Sequence, residues 1–557
     1  MSLAQSHDAR PEPESLEPDS AEFAPPGPST ERTAEDTRAL PPLGRRAVLG
    51  AAAGAVGAVA LSSVIGASPA SAATSAAASA AASSERLLIS RATYGANSQT
   101  LADVHRMGAA RWLEWQLNPS AIKDPVADAL LRRLPLHSDA TPIWEVNYLI
   151  DSGKLDGWQQ MMSVPKGFMI RAIWGRRQLQ TVMEEFWSDL FNVTVPHDGM
   201  TESRAHYQYT IRSHSLGTFA DLLWAISSHP SMLTYLNNRD SSKDAPNENQ
   251  GRELLELHSV GVDAGYTEAD VLTSAHILTG LSVNSDSGEY EYRPWQHWTG
   301  PIKVFGFRAA NRSETGGEAV ARQWINYLAH HPSTAKRIAK RLLQHFVTET
   351  PTNAQIAALA STYTKHGTAI KPVLQQLFLS KAFTASAGQK VRRPIHHVAA
   401  TVRLLESAPE LSGLNAVDDL VYMTTTMGQQ PFGWPMPNGY SLLNGAWLST
   451  ATTLNRWNAT RALTNHWWPN ALRTPDLRIG LFGARTPATH GELIDTAALR
   501  LFGRKLQAGD KAAILTFLGV QAGTPVSDVN NALSPAIDYK LGDWIALMLD
   551  SPYHFYR

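Results

Sequence analysis

From Glu85 onward, apolar residues recur at spacings of three and four more often than two, as in Leu87 and Leu88, then Leu101, Val104, Met107, Trp112 and Trp115. That is the period of an amphipathic helix rather than the alternation of a half-buried strand. Local punctuation marks two helices in the middle of the chain. Pro246 stands where a helix starts and Gly261 follows its last turn, which predicts a helix over about 247–259. Thr267 with Asp270 three residues on forms a capping-box variant, and Gly280 closes the helix it opens, predicting about 268–279. The same period predicts helix from His330 to Phe346, Ala354 to Lys365, Ile370 to Phe378 and Val391 to Leu405. Between Ser287 and Phe307, Tyr and Trp alternate with polar residues among Gly and Pro, so a short β excursion or an ordered loop is expected there. The expected fold class is mostly α, a large irregular helical bundle. A body of roughly 470 residues exceeds the size at which one core usually keeps growing, so two packed lobes joined near residue 310 are an alternative to a single bundle.

The N-terminal part has a different character. Residues 1–44 carry nine Asp or Glu against three Arg, are rich in Pro and Ser, and contain hardly any apolar run. Such a segment cannot bury enough surface to offset ordering entropy and is expected to be disordered. Arg45 and Arg46 then stand directly before an uncharged run that reaches Ser84, with Ala70, Ser71 and Ala72 as a small-x-small exit. This is the layout of a signal peptide, and the arginine pair predicts the twin-arginine route: 45–72 as signal, 73–84 as an Ala/Ser linker, 85–557 as the exported body. The competing interpretation is an uncleaved anchor, but Ala, Gly and Ser dominate the run instead of Leu and Ile. The mature chain is expected outside the cytoplasm, secreted or associated with the envelope, without a transmembrane helix.

Composition narrows the chemistry. From Glu85 on, 44 Lys and Arg face 41 Asp and Glu, a near-neutral balance with no electrostatic case for nucleic acid or an anionic membrane. The absence of cysteine removes disulfides, thiolate zinc sites, iron–sulfur clusters, covalent haem and a Cys nucleophile. Any metal must use His and carboxylates. No G-x-S-x-G elbow, phosphate loop or dinucleotide fingerprint occurs. The 16 Trp and 43% hydrophobic residues suit a large packed core.

The densest polar segment is the predicted 247–259 helix. On an α-helix, Asn249, Glu253 and Glu256 stand at i, i+4 and i+7 and share a face, while Leu254, Leu255 and Leu257 turn toward the core. An amide and two carboxylates on one face suit a hard divalent cation or a positioned water. Asn249, Glu253 and Glu256 are therefore candidate metal ligands; Glu253, Glu256 and His297 are candidate catalytic groups; Arg252, His258 and Lys303 are candidate binding groups at the border. A structural alternative stands beside each. Glu248, Arg252 and Glu256, spaced by four, can tie helices together as ion pairs. His258 can cap the carbonyl end of its helix or serve in packing, and His297 can stack on Trp295 or Trp298. Glycoside hydrolysis needs carboxylates on opposite sides of the scissile bond; one helix turn cannot supply both, so Glu184, Glu185 or Asp189 would have to provide the second. Trp434, Trp447 and Trp457, set among Gly, Pro and Asn, form either an aromatic platform for sugars or core contacts.

Ordered blocks across the body carry a family resemblance. They are Leu87 to Gly95; Trp112 to Leu117; His229, Pro230, Met232, Tyr235 and Leu236; Asn247, Glu248, Asn249, Arg252, Glu253 and the leucines after it; Tyr266, Thr267, Glu268, Asp270, Val271, Thr279 and Gly280; then His331 to Phe346, Lys390 to Pro394, and Met427 to Trp434 continuing to Trp447. Together they resemble the bacterial family called domain of unknown function 1800. Where that family often carries Trp-His-Asn-His-Phe, this chain reads Trp187, Ser188, Asp189, Leu190, Phe191. A His-Asp pair ahead of Gly and Lys becomes His297 and Trp298 before Gly300 and Lys303, and an arginine near the end of the Thr267 helix becomes His276. The resemblance implies an exported protein of uncharacterised activity, with another exported protein from the same locus as the expected partner. Two functions follow as expectations: a hydrolase-like enzyme using the carboxylate and Asn site, with a divalent metal as its cofactor, or a non-catalytic envelope binding or assembly protein. A non-covalent haem protein, suggested by export and 19 His, ranks third.

Overall fold

The computed structural model describes residues 83–135, 140–527 and 534–557. The expected acidic extension, the signal segment and the linker up to residue 82 lie outside the described residues. Helices dominate the rest, as the hydrophobic period predicts. Among the described residues, strands are confined to two antiparallel ribbons, Leu281–Val283 with Tyr290–Tyr292 and Ile302–Val304 with Phe307–Ala309. They bracket the predicted irregular stretch. The second ribbon turns on Phe305 and Gly306 at φ 43° and 86°, two consecutive left-handed positions as in a type I′ hairpin.

Helix ends follow the local chemistry. Thr267 and Asp270 form the full reciprocal capping box at the start of helix Glu268–Leu278. The predicted 330–346 helix begins two residues later, at Pro332. The preceding helix ends at His330, and Pro332 opens the next, Pro332–Phe346, with the His331 ring accepting from the Ser333 amide at 3.2 Å. Proline cannot continue the first helix because it lacks the amide proton and clashes with the preceding turn. The predicted 391–405 helix begins only at Pro394, because Val391 and Arg392 pair instead with Tyr556 and Phe555 near the C-terminus.

One buried apolar cluster runs from Leu87 to Leu549 and lies on both sides of residue 310. Two helices pass through it. Every residue of Gln178–Leu190 except Gln180 is buried, and in Pro394–Leu404 only the last residue is not. Both carry charge into the interior. Buried arginines also staple remote backbone: Arg91 donates to the carbonyls of Phe346, Ser386 and Arg557, and Arg403 to those of Gly95 and Ile173. Each such bond satisfies an acceptor that would otherwise be costly to bury.

Candidate binding site

The 247–259 segment is an α-helix only over Glu248–Glu253; Leu254–His258 form a wider π turn. Glu256, within the π turn, pairs with Arg252 at 3.6 Å, the ion pair that the spacing of four predicts. Arg252 also reaches Glu248 at 3.1 Å and Glu268 at 2.6 Å, so it ties this helix to Glu268–Leu278. Gly251 makes that junction close, since a Cβ there would stand 2.8 Å from the Ala275 amide. Glu253 is half-buried, and burial and the neighbouring Glu256 raise its carboxyl above the ordinary range against the pull of Arg252. Asn249 gives its backbone amide to Asn247 at 3.0 Å. Among the described residues, no group of three His, Asp or Glu side chains is placed to hold a metal ion.

The other candidates disperse. His297 is fully buried between the Thr279 carbonyl, 2.8 Å from Nδ1, and the Asn311 amide oxygen, 2.9 Å from Nε2. It stacks on neither Trp295 nor Trp298; Trp298 lies instead against His276, ring centres 4.7 Å apart and 14° from parallel. Lys303 is exposed on its strand, opposite Arg308. His258 is not a protonated helix cap: burial beside Arg337 lowers its pKa to about 3, and the neutral ring packs on Phe191 at 5.2 Å.

The structure assembles a different site around Glu185 and Asp189. Arg393, at the N-cap of Pro394–Leu404, donates to both, with Nη1 2.7 Å from Asp189 Oδ2 and Nη2 on Glu185 Oε1. Tyr94 donates to Glu185 Oε2 at 2.6 Å, and His396 Nε2 stands 2.8 Å from the same oxygen. On the other ring nitrogen His396 meets Arg557. A guanidinium only donates, so His396 is the neutral tautomer with its proton on Nε2, toward Glu185. None of these residues is more than 5% exposed. Burial alone would raise Glu185, but Arg393, His396 and Tyr94 hold it well below the carboxylate range. Burial pushes Asp189 up to about 6 despite Arg393, with Glu185 adding to the rise. The carboxylates are thus spent on neighbours inside a sealed interior.

A cavity of about 480 Å³ adjoins this network. Trp434, Tyr440 and Trp447 line it, with ring centres 5.3 Å apart for the first pair and 5.8 Å for the second. Each ring's polar atom is engaged within the protein: Trp434 Nε1 on Asn438 at 2.7 Å, Tyr440 hydroxyl on the Gln430 carbonyl at 2.9 Å, Trp447 Nε1 on the Ser441 carbonyl at 3.1 Å. The carrying loop is anchored firmly. Asn192 donates to the Trp434 and Met436 carbonyls, both at 2.7 Å, and Tyr235 to the Pro435 carbonyl at 2.8 Å. Gly439, at φ 66°, rests so closely on the Asp189 carbonyl that a Cβ would collide with it. Arg393 lies 5.9 Å from the Trp447 ring centre. Gln344, Asn438, Ser441 and Arg341 supply polar lining, and no lining residue is a carboxylate or a histidine. Trp457 is elsewhere, half-exposed on helix Thr450–Thr464. Of this cavity, the sequence singled out Trp434 and Trp447 and missed Tyr440, Gly439 and Arg341.

Comparison with known proteins gives one match. The family described as protein of unknown function (DUF1800) matches residues 87–556. No curated protein and no solved structure matches the chain.

Proposed function

The chain belongs to this family of unknown function, and from that premise we propose that it is an exported binding protein whose ligand is a saccharide held in the Trp434–Trp447 cavity. The observation that carries this is the composition of the cavity wall: three aromatic rings, whose polar atoms are already satisfied, among amide and hydroxyl groups. Such rings present flat apolar faces to a sugar while the amides and hydroxyls supply directional bonds. The wall has no carboxylate to act as general acid or base. Titration of oligosaccharides into the purified mature chain, followed by tryptophan fluorescence and calorimetry, tests it. Binding that disappears in Trp434→Ala supports the proposal, and a panel of neutral and acidic oligosaccharides giving no signal removes it.

Export by the twin-arginine route is part of the proposal and rests on Arg45, Arg46 and the uncharged run after them. Among the described residues, no helix is long and apolar enough to cross a membrane. Replacement of both arginines by lysine is expected to retain the protein in the cytoplasm. Work alongside a co-exported partner fits a binding function. The hydrolase alternative keeps one supporting observation, the raised carboxyl of half-buried Glu253, as a general acid requires. It predicts a reaction lost in Glu253→Gln.

A further inference from the structure

We infer that the cavity selects ligands bearing a carboxylate, an acidic sugar such as a uronate, with Arg341 as the counter-ion; this rests on the saccharide proposal above. Arg341 and Gln344 reach the cavity from helix Pro332–Phe346. Among the described residues Arg341 forms no hydrogen bond or ion pair, and its Nε and Nη2 are buried without a partner. The contrast with the neighbouring cations is sharp. Arg393 is neutralised by Glu185 and Asp189, Arg337 donates to the Leu257 carbonyl at 2.8 Å, and Lys390 to the Leu442 carbonyl at 2.9 Å. Burial, with Arg337 and Arg393 close by, lowers Arg341 to about 10 although Asp189 opposes the shift. Asp189 bonds to Arg393 through Oδ2 and makes no ion pair with Arg341, although its charge is felt there.

A half-buried guanidinium whose Nε and Nη2 are sealed from water without a hydrogen-bonded anion is costly, and a cavity lined by one but by no carboxylate is incomplete. A ligand carboxylate beside Trp434 or Trp447 would complete it with charge-assisted bonds, while the rings hold the sugar face. A neutral sugar of the same size would leave the guanidinium unpaired.

The test compares two probes on the full mature chain: a galacturonate trisaccharide and the neutral galactose trisaccharide of the same linkage. The acidic probe is expected to bind more tightly by at least about tenfold. Arg341→Gln should abolish that preference without lowering the melting temperature, because no internal contact is lost. Arg341→Lys should retain part of it, keeping the charge but not the planar fork. If both probes bind the native chain equally, selection by Arg341 is wrong while the saccharide cavity stands. If neither binds, the saccharide proposal itself fails and takes this inference with it.

Discussion

Arg393 joins Asp189 at 2.7 Å on one nitrogen and Glu185, one helical turn earlier, on another, with all three residues sealed from solvent. Removing the arginine alone strips two buried carboxylates of the ion pair that they share. Arg393→Ala is therefore expected to lose about 3–5 kcal/mol of stability. Denaturant titration checks this, and a variant that also replaces Glu185 and Asp189 by Gln and Asn should recover part of the loss. A change in Arg393→Ala below about 1 kcal/mol would mean that water reaches the cluster.

Acid should unfold the protein. His229, His258, His345, His396, His397 and His554 are all buried, and burial depresses each below the ordinary 6.5. Below that pH the unfolded chain binds protons that the native rings refuse, so stability present above 6.5 is lost as pH falls toward the native values. Each ring contributes about 1.4 kcal/mol per pH unit once the unfolded form is protonated. Asp189 and Asp550, raised to about 6 and about 7, act in the opposite sense, losing stability as pH rises through those values. Six groups outweigh two, so melting temperature should fall steadily from pH 6.5 to 4. A flat profile would contradict the neutral, buried state of the rings.

The Arg252 network is more exposed. Replacement by Ala breaks contacts to Glu248, Glu256 and Glu268, yet it should cost only about 0.5–1 kcal/mol, as for a solvent-screened network. Thermal melts at low and high salt check this, with the difference from the native chain shrinking at high salt.

Gly439→Ala should be worse than its one added methyl suggests. The position combines a left-handed φ of 66° with a close approach to the Asp189 carbonyl. A loss of about 2 kcal/mol or more is expected, with weaker ligand binding because the loop carrying Trp434 and Tyr440 must shift.

How much of this was legible in the sequence depended on distance along the chain. Thr267 with Asp270, Gly261 and Gly280 announce helix ends because caps act within a few residues. The start at Pro332 has an equally local cause, since proline opens a helix at its first position. Glu185 and Arg393 are separated by more than two hundred positions, and only the tertiary fold brings them together. Nothing local to Glu185 and Asp189 points to their arginine. The spacing of Asn249, Glu253 and Glu256 carries no sign of the π turn over Leu254–His258, whereas the spacing of four between Glu248, Arg252 and Glu256 does announce their ion pairs. Trp434 and Trp447 stood out as aromatics among loop-forming residues. Arg341 did not, since an arginine on an amphipathic helix reads as solvated surface.

The most direct measurement is calorimetric titration of the galacturonate trisaccharide into three proteins: the native chain, Trp434→Ala, and the double variant Glu253→Gln, Glu256→Gln. Binding by the native chain and the double variant, with none by Trp434→Ala, is the predicted result. Loss of binding in the double variant, with Trp434→Ala unaffected, would contradict it and return the site to the 248–258 helix.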